Sequence, residues 1–248
     1  MAMRSERIIA MVPARMGSQR LPMKNLALLD GRPLIAYAIQ AARTSGVFDR
    51  VVVNSEDERF ASIANRYGAE FYRRPARLAT SQTRSDDVVY EFLQHYCSYD
   101  VLAWVNPIAP LQTGEEIRMI VEHFQAKRLD SLITVKEEQV HCVYRGRPVN
   151  FTARGKFART QDLEPVQAFV YSIMMWRAAV FTRTYKRRGD ALLCGRVGYY
   201  PVSRPSTIIV KHREDLAMAK AWRRLLREGR NGGVQYDRLA RETTRVPA

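Results

Sequence analysis

Ile8-Ile9-Ala10-Met11-Val12-Pro13-Ala14-Arg15-Met16-Gly17-Ser18-Gln19-Arg20-Leu21-Pro22-Met23-Lys24-Asn25-Leu26 is the stretch that decides the fold. Its first five residues are an unbroken apolar run, the mark of a strand buried on both faces. The run breaks at Pro13 into a loop that carries Gly17, Ser18, Arg15, Arg20 and Lys24. Backbone N–H groups in such a loop can point at an anion, and the guanidinium and ammonium groups neutralise its charge. Fixed positive charge beside a triphosphate also stabilises the transition state of nucleotidyl transfer. The spacing contains neither G-x-x-x-x-G-K-[ST] nor G-x-G-x-x-G, so this is not a P-loop or a dinucleotide fingerprint.

Further along the chain, strand and helix signals alternate. Strands are expected at Ile8–Val12, Val51–Val53, Glu70–Tyr72, Val101–Val105 and Leu132–Val135. Helices are expected at Pro33–Arg43, Glu58–Tyr67 (stopped by Gly68), Ser85–Tyr96 and Glu115–Lys127. Repeated β-α units predict a three-layer α/β fold with a mostly parallel sheet. Ligands of such sheets sit at the carboxyl ends of the strands, where the Arg15–Lys24 loop falls. From Glu137 to Gln167 the pattern loses its regularity. Strands at Phe169–Met175 and Tyr199–Val202 and a helix at Arg213–Arg227 follow. Residues 1–228 read as one domain and residues 229–248, with Asn231-Gly232-Gly233, as a flexible tail.

The 248 residues are 46% hydrophobic, enough for a sizeable core. The apolar runs are far too short for a membrane span and the start lacks a secretory apolar segment, so a soluble cytoplasmic chain is expected. Cys97, Cys142 and Cys194 form no C-x-x-C pair and read as small buried hydrophobes. The four histidines are far apart and read as structural or exposed; His212 is the one to watch. The net charge of +15 favours anionic partners. Nucleic acid is one such partner, yet no nucleic-acid motif accompanies the arginines, which are spread along the whole chain.

The string P-A-R-x-G-S-x-R-L-P-x-K-N-L, from Pro13 to Leu26, closely resembles the signature of the acylneuraminate (sialic acid) cytidylyltransferase family; Gln19 stands where that family has lysine. The resemblance continues through Phe48–Glu56, Arg74–Ala79, Asn106–Gln112 and Arg159–Pro165. It implies a nucleotide-diphospho-sugar transferase-like fold, a homodimer formed through a lobe at residues 137–167, and transfer of CMP from CTP to an acidic 2-keto sugar with release of pyrophosphate. It also implies roles. Ala14, Arg15, Gly17, Ser18, Lys24 and Asn25 would hold the nucleotide, with Arg74, Thr83 and Ser85 at its base and ribose. Asn106, Arg159 and Gln161 would meet the sugar acid.

One departure bears on the chemistry. The family carries a D-x-D string that holds Mg²⁺, and counting back from Asp215 those positions are Ile209 and Lys211, neither a hard oxygen ligand. Asp215 is left as a possible ligand or as a helix cap. Three readings stay open at this point. Lys211 supplies the metal's charge and joins Arg15 and Lys24 as a catalytic cation; the enzyme acts on a different acid; or the chain is a nucleotide-binding pseudoenzyme that serves a protein partner.

Overall fold

The computed structural model of the chain describes residues 6–228, so the expected tail at 229–248 lies outside the described residues. Strand β1 (Ile8–Pro13) is the axis of the molecule. Ile9 and Met11 point into one core and Ile8, Ala10 and Val12 into another, and all five are at most 4% exposed. A strand flanked by apolar cores on both sides has no polar face to alternate with, which is why its sequence is a continuous apolar run. Around it stand β2 (Arg50–Ser55), β3 (Glu70–Arg73), β4 (Val101–Val105), β5 (Ser131–Glu138), β6 (Val166–Arg177) and β7 (Val197–Pro201). The sheet runs β7-β5-β6-β4-β1-β2-β3. The neighbours β3/β2, β2/β1, β1/β4 and β5/β7 are parallel, and only β6 runs against its neighbours β4 and β5.

Helices cover both faces. Helices α1 (Leu34–Ser45), α2 (Arg59–Arg66) and α4 (Gly114–Ala126) pack on the side of Ala10 and Val12. Helices α3 (Ser85–His95) and α5 (Ala178–Arg188) pack on the side of Ile9 and Met11. Helix α6 (Arg213–Arg227) adds a small third cluster through Ala219, with Leu29, Leu34, Tyr37 and Val210. The expected three-layer, mostly parallel α/β fold is the observed one, and the expected helix at Arg213–Arg227 forms over those residues.

Two elements differ from expectation. Helix α5 follows β6 without a loop and has no strong apolar face, since only Phe181 and Thr184 are buried. Its end is favoured instead by Lys186, Arg187 and Arg188 at the negative pole of the helix and by Gly189 in the left-handed region (φ 75°). Strand β6 is longer than the expected Phe169–Met175 and carries a bulge between Phe169 and Met174, where Tyr171 takes φ +57°. Thr134 fills the gap by accepting the Ile173 N–H at 3.1 Å. Before the bulge, β5 and β6 continue as a ribbon toward residues 139–165. That segment holds a two-residue ladder (Val143–Tyr144 with Arg147–Pro148) and one 3₁₀ turn, Thr160–Asp162.

Helices α1 and α4 approach closely at Gly114. A Cβ there would stand 2.4 Å from the Thr44 hydroxyl and 2.8 Å from the Ser45 backbone nitrogen. Arg118 fixes the same contact by donating to the Ser45 carbonyl at 3.1 Å. Overpacking of this kind typically costs about 1–3 kcal/mol. Gly114→Ala is therefore expected to lower the unfolding free energy by that amount, read as a lower urea midpoint; an unchanged midpoint would show that the two helices part without cost.

Candidate functional site

At the carboxyl end of β1 the chain turns out of the sheet at Pro13 and Ala14. The Ala14 N–H still donates to the Asn54 carbonyl of β2 at 2.9 Å, so the turn begins from a fixed point. The Met16 N–H then donates to one oxygen of Glu56 at 2.9 Å. The other Glu56 oxygen accepts from Arg74 at 3.0 Å, and the same arginine nitrogen donates to the Ala14 carbonyl at 2.6 Å. Arg74 is only 5% exposed. Burial lowers its proton affinity and the hydrogen bond it donates to Glu56 opposes that, but a guanidinium stays charged in either case. A buried charge with one partner removed is costly, about 3–5 kcal/mol. The loop is thus tied to β3 and to the carboxyl end of β2 by one arginine and one carboxylate.

The far end of the loop closes through a 3₁₀ turn at Lys24–Leu26, entered from Met23 in the left-handed region (φ 49°). The turn buries Asn25 and brings Lys24 back beside the loop's start. A cleft of about 240 Å³ lies between them, and Ala14, Arg15, Ser18, Lys24, Asn25, Arg74 and Asn106 all border it. Asn106 arrives from the end of β4, held by its N–H donating to the Ser172 carbonyl in the β6 bulge at 2.9 Å. A second cavity of about 210 Å³ adjoins the first and shares Arg15 and Arg74 with it. Thr80, Thr83 and Ser85 line that one, and Arg15 donates to the Thr80 carbonyl at 3.0 Å. A larger groove of about 910 Å³ opens at the opposite end of the sheet, around Asp100 and Arg177. It lies at the amino end of β4, away from the end where such sheets hold ligands.

Nine of the residues singled out from the sequence therefore border one double cavity: Ala14, Arg15, Ser18, Lys24, Asn25, Arg74, Thr83, Ser85 and Asn106. Gly17 sits in the loop between them without lining either cavity; its φ is not positive, and a Cβ there would meet nothing within 4 Å. Arg159 and Gln161 lie in the exposed 3₁₀ turn of the irregular segment and line neither cavity. Arg159 is paired with Asp162 at 2.8 Å, and the Gln161 carbonyl accepts from Gln139. Gln112, within the stretch aligned with the sugar site, is buried against Glu116 of α4. Arg20, named with the loop's charge, borders the cleft. Among the residues not singled out are Glu56, which anchors the cleft, and Trp104, which lines the second cavity. Glu56 and Trp104 are set by tertiary contacts.

The site is strongly cationic. Burial pushes the Lys24 ammonium down to about 8, and the charges of Arg20, Arg15 and Lys211 add to that; Asp215 opposes it. Lys211 is brought near because the Val210 N–H donates to the carbonyl of Ile108, itself a residue of the cleft, at 2.8 Å. Asp215 accepts the N–H groups of Lys211 and His212 at 2.8 and 2.7 Å, which caps α6. Among the described residues no three His, Cys, Asp or Glu side chains gather as a metal site. With Ile209 and Lys211 where the implied Mg²⁺ needs carboxylates, and Asp215 engaged as a cap, the donor set does not fit that ion.

An α/β sheet with a cationic double cavity at the carboxyl ends of its parallel strands has the place and the charge of an anion site. A family model described as Cytidylyltransferase matches residues 9–154, and the chain belongs to that family. It is 38% identical over 119 residues to the N-acylneuraminate cytidylyltransferase of Escherichia coli, covering 48% of this chain and 28% of that protein. It is 39% identical over 123 residues to the CMP-N,N'-diacetyllegionaminic acid synthase of Legionella pneumophila, covering 47% of this chain and 52% of that one. The matches thus span about half the length of these relatives or less. In fold, the chain resembles CMP:2-keto-3-deoxy-manno-octonic acid synthetase complexed with CTP (TM-score 0.65, 16% identity, 88% of this chain and 98% of that one). It also resembles the 4-diphosphocytidyl-2C-methyl-D-erythritol synthase of Anaerococcus prevotii (TM-score 0.66, 12% identity, 89% and 99%).

Two outcomes follow from the charges. Glu56→Ala leaves Arg74 buried without its carboxylate and is expected to cost about 3 kcal/mol in urea unfolding. A loss under about 0.5 kcal/mol would mean that water takes the carboxylate's place. Lys24 binds its proton less tightly in the folded chain than in the unfolded one. Its charged form therefore weakens the fold below about pH 8, and that penalty is relieved as pH rises toward 10.5. A bound anion favours the charged form, so binding of sulfate, which does not itself titrate in this range, is expected to take up a proton at pH 8.5 and none at pH 6. Calorimetry in buffers of different ionisation enthalpy reads this directly; equal uptake at both pH values would place Lys24 away from the anion.

Proposed function

We propose that this chain is a nucleotidyltransferase that moves CMP from CTP to an acidic 2-keto sugar and releases pyrophosphate. One observation carries this reading: the Pro13–Leu26 loop folds back on itself so that Arg15, Ser18 and Lys24 converge with Arg74 on one cleft, with Arg20 beside them. The membership of the family and the names of the relatives support it. The triphosphate lies in this cleft, held by Arg15, Ser18 and Lys24, and the base enters the adjoining cavity past Arg74. The sugar approaches from the side of Asn106. Its anomeric hydroxyl oxygen bonds to the α-phosphorus in line, the bond from that phosphorus to the β-phosphate bridge oxygen breaks, and the hydroxyl proton passes to water. Such a reaction needs positioning and charge neutralisation rather than a covalent intermediate. Arg15, Arg20, Lys24 and Lys211 supply the positive charge from the protein.

The assembly belongs to the same proposal. The 137–167 segment presents Val143, Tyr144, Val149 and Phe157, each more than half exposed. Burying them in a second copy of the chain would remove apolar surface from water, and a homodimer is the state expected in sedimentation. No helix among the described residues is long and apolar enough to cross a membrane.

Pyrophosphate release from CTP over a panel of 2-keto sugar acids tests the reaction. Release with at least one acid is expected; CTP binding without release with any of them would overturn the transferase. Lys24→Ala is expected to lower turnover or CTP affinity at least tenfold. Lys211→Ala lowers them by a smaller factor, because Lys211 is exposed and acts from outside the cleft.

A further inference from the structure

Glu116 is a buried carboxylate outside the cleft, and the chemistry proposed above does not use it. It stands in the first turn of α4 and is 6% exposed. One of its oxygens accepts the Ser203 N–H at 2.6 Å. The other accepts the Ser206 hydroxyl and the side-chain amide of Gln112, the latter at 3.3 Å. Ser206 and Gln112 are themselves buried. The positive pole of a helix favours a negative charge in its first turn. A charge taken out of water is sustained where several donors surround it.

These donors come from two different segments. Gln112 belongs to the stretch that leaves β4 through Asn106 and Ile108, both of which border the cleft. Ser203 and Ser206 belong to the stretch that leaves β7 and turns through Pro205–Thr207 toward Lys211. The two stretches meet again where the Val210 N–H donates to the Ile108 carbonyl at 2.8 Å. Lys211 follows directly. Its side chain is exposed, so its place near the cleft depends on the backbone that carries it. From there its charge reaches Lys24, whose proton affinity it lowers.

We propose that Glu116 is a positioning residue: by joining the segments that follow β4 and β7, it holds Lys211 beside the phosphate cleft. This rests on the reading of that cleft as a phosphate site, and on neither the base nor the sugar. The attraction between two charges falls with their separation, and water between them weakens it further. A lysine on a segment released from the β4 side loses its pull on the anion. The tie itself needs hydrogen-bonding shape more than charge. Glutamine at 116 can still accept the Ser203 N–H and donate to the Ser206 hydroxyl, whereas alanine can do neither.

The experiment is calorimetric titration of the full chain with inorganic pyrophosphate, for the wild type, Glu116→Ala, Lys211→Ala and the double variant. Lys211→Ala is expected to weaken binding about threefold, as for a cation acting from an exposed position. Glu116→Ala is expected to weaken it by the same factor, and the double variant no further, because both changes remove one effect. Glu116→Gln should stay within about twofold of the wild type, since it keeps the tie. Sulfate-linked proton uptake at pH 8.5 is a readout that a loss of stability alone would not move. Lys24 faces Arg20, Arg15, Lys211 and Asp215; with Lys211 displaced it holds its proton more tightly in the free protein. Uptake should therefore fall in Glu116→Ala as it does in Lys211→Ala. A Glu116→Ala that keeps wild-type pyrophosphate affinity overturns the proposal. A double variant whose loss is the product of the two single losses overturns it too, because Glu116 would then act on something other than Lys211. So does a Lys211→Ala of unchanged affinity. If Glu116→Ala does not fold, Ser206→Ala, which takes one donor from the same tie, is judged by the same three outcomes. A wild type that binds no pyrophosphate removes the phosphate reading of the cleft together with this inference, an outcome distinct from binding that none of the variants changes.

Discussion

A buried arginine holds the functional end of this molecule together. Arg74 follows β3 directly, and its guanidinium reaches back under the loop that leaves β1, to the Ala14 carbonyl and to Glu56. Glu56 in turn accepts the Met16 N–H, so one carboxylate and one guanidinium join the ends of β1, β2 and β3. Taking both charges out of water is costly, and the pair is sustained because each has further hydrogen bonds. The constraint has a direction. It fixes the beginning of the cationic loop, while the 3₁₀ turn at Lys24 fixes its end, and the cleft is the space left between two anchored points.

The parts of the fold that were legible from the sequence are those where a local pattern and a tertiary role coincide. The run Ile8–Val12 has only one way to bury all its side chains, between two helical layers, and so reveals both the strand and the layering. Helix α5 was not legible, because its apolar face is two residues wide and its stability comes from its charged end and from the sheet beneath it. The bulge in β6 was hidden for a similar reason. Nothing in Val170-Tyr171-Ser172 announces a left-handed residue, and the conformation exists because Thr134 on the neighbouring strand bonds into the gap.

The same division runs through the site. Arg15, Ser18, Lys24 and Asn25 could be read as a group because they are close in sequence and share one loop. Arg74 and Asn106 were reached only through resemblance, since the sheet, and not sequence proximity, brings them there. Trp104 looked like one more apolar residue of a buried strand. It packs in the cluster under α3 and also lines the second cavity, and only the fold shows the second contact. Conversely, Arg159 and Gln161 sit in the least regular part of the chain, where register cannot be fixed by pattern, and the fold places them on a solvent-facing turn.

The electrostatic balance of the cleft decides what can occupy it. Burial first, and then the charges of Arg20, Arg15 and Lys211, lower the proton affinity of Lys24, so the free protein carries a repulsion that either loss of the proton or a bound anion relieves. The carboxylates nearby are already engaged, Glu56 by Arg74 and the loop, and Asp215 by the first turn of α6. A site built from free carboxylates gathers a cation first and the phosphate afterwards. Here the order is reversed: positive charge is fixed in the chain, and the ligand supplies the negative charge. The presence of Lys211 near that cleft extends the same cationic surface rather than interrupting it, and Asp215, held by two backbone N–H groups, serves as the cap of α6.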